Sequence, residues 1–198
     1  MILKSGTKRS GCSTVWESAA EKMNLSLENI LAQGIGFIAL TLVVLSFQKN
    51  SRSHTLIFLF ISSMLFGLHF YLLGAYTGAA LNGVGAIRAL VFNIRDTRKW
   101  LGHVSVMWLF IGIFSLAGLY TYSEPFDILP IIAMNIECFA LWNRNTRYVR
   151  FIFLTARPFW ISYNIFSMSI AGIVSEIFLI VSLSVAIWRF DKNAGITD

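Results

Sequence analysis

LIFLFISSMLFGLHFYLLGAYTGAALNGVGAIRALVFNI, residues 56–94, carries one charged side chain, Arg88, in 39 positions. As a single helix it would run about 58 Å, roughly twice the thickness of a bilayer core. It must fold back on itself, and Gly74-Ala75-Tyr76-Thr77-Gly78 is where the chain can turn. Residues 151–189 pose the same length problem, with Ser167-Met168-Ser169 as their turn.

Working outward from these two hairpins, the apolar blocks predict seven crossings: Ile30–Phe47, Leu56–Ala75, Tyr76–Ile94, Leu101–Tyr122, Ile128–Trp142, Phe151–Met168 and Ser169–Trp188. Each has about the 17–25 residues that a spanning helix needs. Composition agrees: 56% of the 198 residues are hydrophobic and 13% charged, with a mean hydropathy of +0.67. A soluble domain carries about a quarter charged residues, so this chain has too few to clothe a water-facing surface. It reads as an all-α integral membrane protein whose first partner is the lipid bilayer.

The net charge of +6 does not indicate nucleic acid, because the basic residues cluster at span ends and not along one face. Lys49, Arg52, Arg95, Arg98, Lys99, Arg144, Arg147, Arg150, Arg189 and Lys192 all fall on one side. The opposite loops, around 74–78, 123–127 and 167–169, hold no Lys or Arg, and the middle one carries Glu124 and Asp127. The positive side is expected to be cytoplasmic, which puts the N-terminus in the periplasm and the C-terminus in the cytoplasm of a bacterial inner-membrane protein. The N-terminal tail dissents through Lys4, Lys8, Arg9 and Lys22, but it also carries Glu17, Glu21 and Glu28. Residues 1–28 are too weakly apolar for a secretory signal. They read as a disordered extension or a misassigned start, with Met23 as the alternative first residue. Cys12 and Cys138 form no disulfide framework and match no metal spacing.

Self-similarity organises the rest. Lys49-Asn50-Ser51-Arg52 follows the first span and Arg144-Asn145-Thr146-Arg147 the fifth, an offset of 95. Phe66-x-x-His69 in the second span matches Trp160-x-x-Tyr163 in the sixth, an offset of 94. Asn82 follows His69 by thirteen residues, as Glu176 follows Tyr163, and Gly78 and Gly172 fall in step. A three-span unit ends on the face opposite its start, so a second copy in the same orientation needs one extra crossing. The expected architecture is therefore a 3+1+3 parallel repeat of triple-helix bundles: a tail (1–28), a first repeat (29–95), a linker helix (96–123), a second repeat (124–190) and a C-terminal tail (191–198). Parallel repeats of this kind occur in transporters, the SWEET proteins among them.

Leu31-Ala32-Gln33-Gly34-Ile35-Gly36, Gly67-Leu68-His69-Phe70-Tyr71-Leu72-Leu73-Gly74 and the helix from Asn82 to Arg88 resemble the bacterial inner-membrane family known as YgjV, over roughly residues 29–190. That resemblance implies a location and no settled activity. More distantly, Trp-x-x-Tyr with a polar residue thirteen positions on is similar to the SWEET sugar transporters and their relatives, including the PnuC vitamin transporters. Carried over by position, the likeness implies a SWEET-like fold with Phe66, His69 and Asn82 from one half, and Trp160, Tyr163 and Glu176 from the other, facing a solute. The sequence departs where Glu176 replaces an Asn, and where Pro130 and Pro158 mark the fifth and sixth spans while the first and second have none. A neutral sugar site does not follow.

Charged side chains at mid-membrane each cost roughly 2.5–3.5 kcal/mol on insertion scales and normally face a partner or a cavity. Four fall within spans: Arg88, Glu137, Arg157 and Glu176. Glu176 reads either as a cavity carboxylate or as a partner for Arg88 across the repeat axis. Glu137 reads as an ion-pair or interhelix partner, since Asn135 lies about 200° around the same helix. Arg157 reads as a helix-kink cap beside Pro158, as a solute-facing cation, or as a side chain snorkelling inward. His69 could carry protons or simply pack, Asn164 could line the same cavity as Tyr163, and Gln33 could be interhelical glue. Gly83, Gly85, Ala86 and Ala89 predict close packing, and Trp100, Trp142 and Trp188 an interfacial belt.

Two functions fit. One is a transporter of a small polar solute in which two triplets rock about a midplane site. The other is a non-transporting membrane protein, an assembly partner or sensor, that keeps the same fold. An intramembrane enzyme is the weakest reading, because no HExxH pair, GxSxG or carboxylate dyad at fixed spacing is present, and without a nucleotide-binding loop ATP-driven transport would need another subunit. No cofactor and no metal site is expected, and nothing points to or against a homo-oligomer.

Overall fold

A computed structural model describes residues 27–48, 51–95 and 97–191. The expectations for residues 1–26 and 192–198, and for Lys49, Asn50 and Lys192, fall outside these. The described residues form seven α-helices and no strand: α1 (Leu27–Ser46), α2 (Arg52–Leu72), α3 (Tyr76–Ile94), α4 (Ser105–Tyr120), α5 (Ile128–Trp142), α6 (Thr146–Phe166) and α7 (Ile170–Asp191). Single 3₁₀ turns, Lys99–Gly102 and Pro125–Asp127, lead into α4 and α5.

Five of these stretches are long and apolar enough to cross a bilayer. The other two depart from the predicted spans for different reasons. The fourth was expected over Leu101–Tyr122, but the backbone turns extended at His103 (φ −76°, ψ 137°) and α4 keeps only 16 residues, about 24 Å. There the His103 ring takes the Ser105 amide at 3.3 Å and bonds the Ser105 hydroxyl at 2.7 Å, which starts α4 late. The sixth is long enough, but Arg147, Arg150 and Arg157 lower its hydropathy. Pro158 lies inside α6 without ending it, and Pro130 sits in the first turn of α5, where no amide donor is needed.

The exterior is apolar. Ile38, Trp108, Leu109, Leu116, Tyr120, Val181 and Trp188 are all exposed, a pattern that suits lipid contact and not water. Trp100 and Trp188 are exposed as a belt requires, whereas Trp142 turns inward, its ring 4.2 Å under the Arg95 guanidinium. Arg52 donates to the Leu141 carbonyl at 2.8 Å and Arg95 to that of Trp142 at 2.7 Å. Two cations that the charge pattern assigned to topology thus also satisfy the open carbonyl end of α5.

Consecutive helices α1, α2 and α3 pack side by side, as do α5, α6 and α7. Across the two groups α1 packs on α7 and α3 on α5, while α4 lies against α3 and α5. The hairpin turns of the two groups are closed by the same bonds 94 residues apart. In one, the amides of Leu73, Gly74 and Ala75 bond the carbonyls of His69, Tyr71 and Phe70; in the other, those of Ser167, Met168 and Ser169 bond Tyr163, Ile165 and Asn164. Gly74 and Met168 take positive φ at this point, 70° and 52°, the left-handed turn that lets a helix stop and reverse. The preceding interhelix turns match at 94 as well, with Ser51 and Asn145 at the N-caps of α2 and α6. These caps match at 94, one residue from the offset of 95 at which the two tetrapeptides align.

Candidate functional site

Side chains from every helix except α4 line a cavity between the two groups. It leaves about 60 Å³ for the centres of water-sized molecules, several times the roughly 10–15 Å³ that one water needs. A few waters or a small solute fit. Phe66, Asn82, Trp160, Asn164 and Glu176 line it, together with Arg88, Glu137 and Arg157.

All four intramembrane charges join in one network. Arg157 sits at its centre, 3% exposed. Its Nη2 bonds Glu137 Oε1, its Nη1 bonds Glu176 Oε2 at 3.0 Å and its Nε donates to the Phe153 carbonyl at 2.9 Å. Glu137 also accepts from Trp160 Nε1 at 2.9 Å and lies 3.6 Å from Arg88 Nη2. Arg88 donates to the Met134 carbonyl at 3.3 Å and packs over Phe114 at 5.1 Å. The predicted Arg88–Glu176 pairing is thus replaced by Arg88–Glu137 and Arg157–Glu176. Pairing wins over snorkelling for Arg157 because Glu176 would otherwise be buried without a partner. Asn135, as its helical angle implied, turns away to Ser115 at 3.2 Å.

The structure keeps two predicted solute-facing residues, His69 and Tyr163, out of the cavity lining. His69 Nδ1 lies 2.7 Å from the Ala32 carbonyl, which can only accept, so Nδ1 carries the proton. Nε2 then accepts from the Ser169 hydroxyl at 2.7 Å, and Ser169 Oγ in turn takes the Gly172 amide at 3.0 Å. Both ring nitrogens are used in tying α1, α2 and α7 together. Tyr163, the residue 94 positions on, ties α6 to α3 through its hydroxyl, which accepts the Gly78 amide at 2.8 Å. Gln33 adds to the first tie by accepting the Ala171 amide at 2.8 Å. Each tie satisfies an amide in the first turn of the other group's third helix, where four donors lack partners. Tyr163→Phe leaves Gly78 with a buried, unbonded amide. The expected cost is about 1–3 kcal/mol, read as a lower thermal midpoint in detergent; an unchanged midpoint would contradict the tie.

Packing around the site is tight where glycines permit it. A Cβ at Gly78 would lie 2.8 Å from the Tyr163 hydroxyl and one at Gly85 would lie 3.4 Å from Met134 Cε, whereas Gly83 has open space. Close approach therefore explains Gly78 but not Gly83, and Gly85 makes only ordinary contact.

Several lining residues escaped the sequence reading, among them Val43, Ser63 and Phe70. A signal was available: they stand 94 positions before Glu137, Arg157 and Asn164. With Leu59/Phe153, Phe66/Trp160 and Asn82/Glu176, six such pairs have both members on the cavity wall.

A family model described as a bacterial inner membrane protein, Imp-YgjV, matches residues 30–194. The chain is 29% identical over 166 residues to the inner membrane protein YgjV of Escherichia coli strain K12, covering 82% of this chain and 87% of that one. No solved structure matches it.

Proposed function

From the premise that the chain belongs to this YgjV family of bacterial inner membrane proteins, we propose that it carries a small polar solute by alternating access between two three-helix repeats. In this reading α1–α3 and α5–α7 are parallel copies, α4 is the added crossing, and solute and bilayer are the partners; no chemical step is involved. The carrying observation is the cavity itself. Its wall holds six residue pairs at one offset of 94, which is what a site on a pseudo-twofold axis requires.

The ties at His69–Ser169 and Tyr163–Gly78 support a form closed on the side of the two hairpin turns. They span the two groups at that end, as Gln48–Ser182 and Arg52–Leu141 do at the other, and rocking would have to break one set or the other. The charge-poor loops put that end in the periplasm and the C-terminus in the cytoplasm. A fluorescent protein fused after Asp198 is expected to light up in the cytoplasm; a periplasmic signal would reverse the orientation.

One observation favours the non-transporting reading. Arg157 spends all three guanidinium nitrogens on Phe153, Glu137 and Glu176, as a purely architectural centre would. Flux separates the two. Protein reconstituted in liposomes should move a small polar solute, and Glu176→Gln should cut that flux at least about tenfold, since it removes the charge that holds Arg157 between repeats. Flux of no solute above empty liposomes would leave the architectural reading standing.

A further inference from the structure

Resting on the carrier reading, we propose that the solute is a small organic cation bearing an ammonium group, held by Glu176, Asn82 and Asn164 against aromatic faces.

The charges decide the sign. Two arginines and two glutamates line the cavity, and the two signs are not equally available. Every nitrogen of the Arg157 guanidinium is bonded. Arg88 is engaged at both terminal nitrogens, and its Nε is enclosed. Glu137 gives one oxygen to Arg157 and Trp160 and the other to Arg88. Glu176 uses Oε2 for Arg157 and leaves Oε1 with no partner among the described residues. Of the lining carboxylates Glu176 Oε1 is the oxygen left over, and of the two lining arginines the nitrogen left over, Arg88 Nε, is fully buried.

The neutral groups agree. Asn164 is 1% exposed and its Oδ1 has no hydrogen-bond partner. A buried, unsatisfied oxygen on a cavity wall calls for a donor. Asn82 gives its Nδ2 to the Gly78 carbonyl at 2.9 Å, which leaves its oxygen for a donor too. An ammonium group offers up to three donors and no acceptor. Phe66, Phe70 and Trp160 complete the wall. The Phe70 and Trp160 rings are stacked, 6.0 Å apart and within 18° of parallel. Aromatic faces attract cations and offer anions nothing.

Size and driving force follow. The void admits only a small solute, a compound of a few heavy atoms. A single positive charge would be drawn inward by the membrane potential, about fifty-fold accumulation for about 100 mV.

The test uses the full chain in detergent, with thermal unfolding followed in ethanolamine, choline, glycerol and lactate at equal concentrations. Ethanolamine should raise the midpoint, and choline, whose nitrogen has no N–H to give Asn82 and Asn164, should raise it less, because a ligand that binds only the folded state stabilises it. Glycerol and lactate should not, and Glu176→Gln should abolish the shift. Should Glu176→Gln fail to fold, Asn82→Asp keeps Glu176, adds a second carboxylate, and is expected to lower the half-saturating ethanolamine concentration about tenfold. A shift by lactate or glycerol alone, or an ethanolamine shift untouched by these variants, overturns the cation proposal and leaves the carrier reading intact. No shift with any compound, together with no flux of any solute in liposomes, overturns both.

Discussion

Arg157→Met is expected to destabilise the fold by about 3–5 kcal/mol. The side chain is 3% exposed and binds two glutamates from two other helices. Methionine fills much of the same volume, so the loss does not come from packing. It comes from what stays behind. Glu137 keeps Arg88 and Trp160, but Glu176 loses its partner entirely and remains 8% exposed among the helices. A buried pair taken as a whole is near neutral against an apolar replacement, while a pair broken on one side is not. The double substitution Arg157→Met with Glu176→Gln should therefore recover most of the loss. Thermal or chemical unfolding of the four proteins in detergent supplies the cycle. Strict additivity of the two single effects would mean that the ion pair contributes nothing.

The second large effect is expected at Gly172. A Cβ there would overlap Asn164 Oδ1 and Ser169 Oγ. Neither can easily step aside, since Asn164 is enclosed on the cavity wall and Ser169 is held by His69. Gly172→Ala should cost about 1–3 kcal/mol through overpacking. It should also disturb the cavity, because the groups it pushes are an unpartnered cavity oxygen and the tie between α2 and α7. Gly83→Ala is the matched control. That glycine lies inside α3 with nothing within 4 Å of its added carbon, and alanine favours a helix by about 1 kcal/mol over glycine. The same chemical change should therefore lower the midpoint at 172 and hold or raise it at 83. Equal effects at both positions would remove the packing argument.

The helices were legible because lipid imposes a length and a composition together. Tyr76–Ile94 and Ile128–Trp142 came out at the residues expected. Boundaries set by side-chain chemistry did not. The start of α4 depends on how His103 and Ser105 bond each other, and hydropathy is blind to that.

At the site, residue type was a good guide to burial and a poor guide to direction. Asn82, Glu176, Trp160, Asn164 and Phe66 reach the cavity, while His69 and Tyr163 spend their polar atoms on neighbouring backbone and on Ser169. A helical register places a side chain to within about a third of a turn, which separates Asn135 from Glu137 but not His69 from Phe66. Pairing was the least legible. Which glutamate meets Arg88 depends on helix order around the bundle, and Glu137 comes from α5, the helix packed directly on α3.

Cysteine accessibility at position 82 tests the central claim most directly. In a chain with Cys12 and Cys138 replaced by alanine, Asn82→Cys should react with a membrane-impermeant thiol reagent supplied from either side of the membrane. Bound solute should slow both reactions, because the residue lines a cavity that opens alternately to each face. Reaction from neither side, or from one side only whatever the solute, would contradict a carrier built from two rocking triplets.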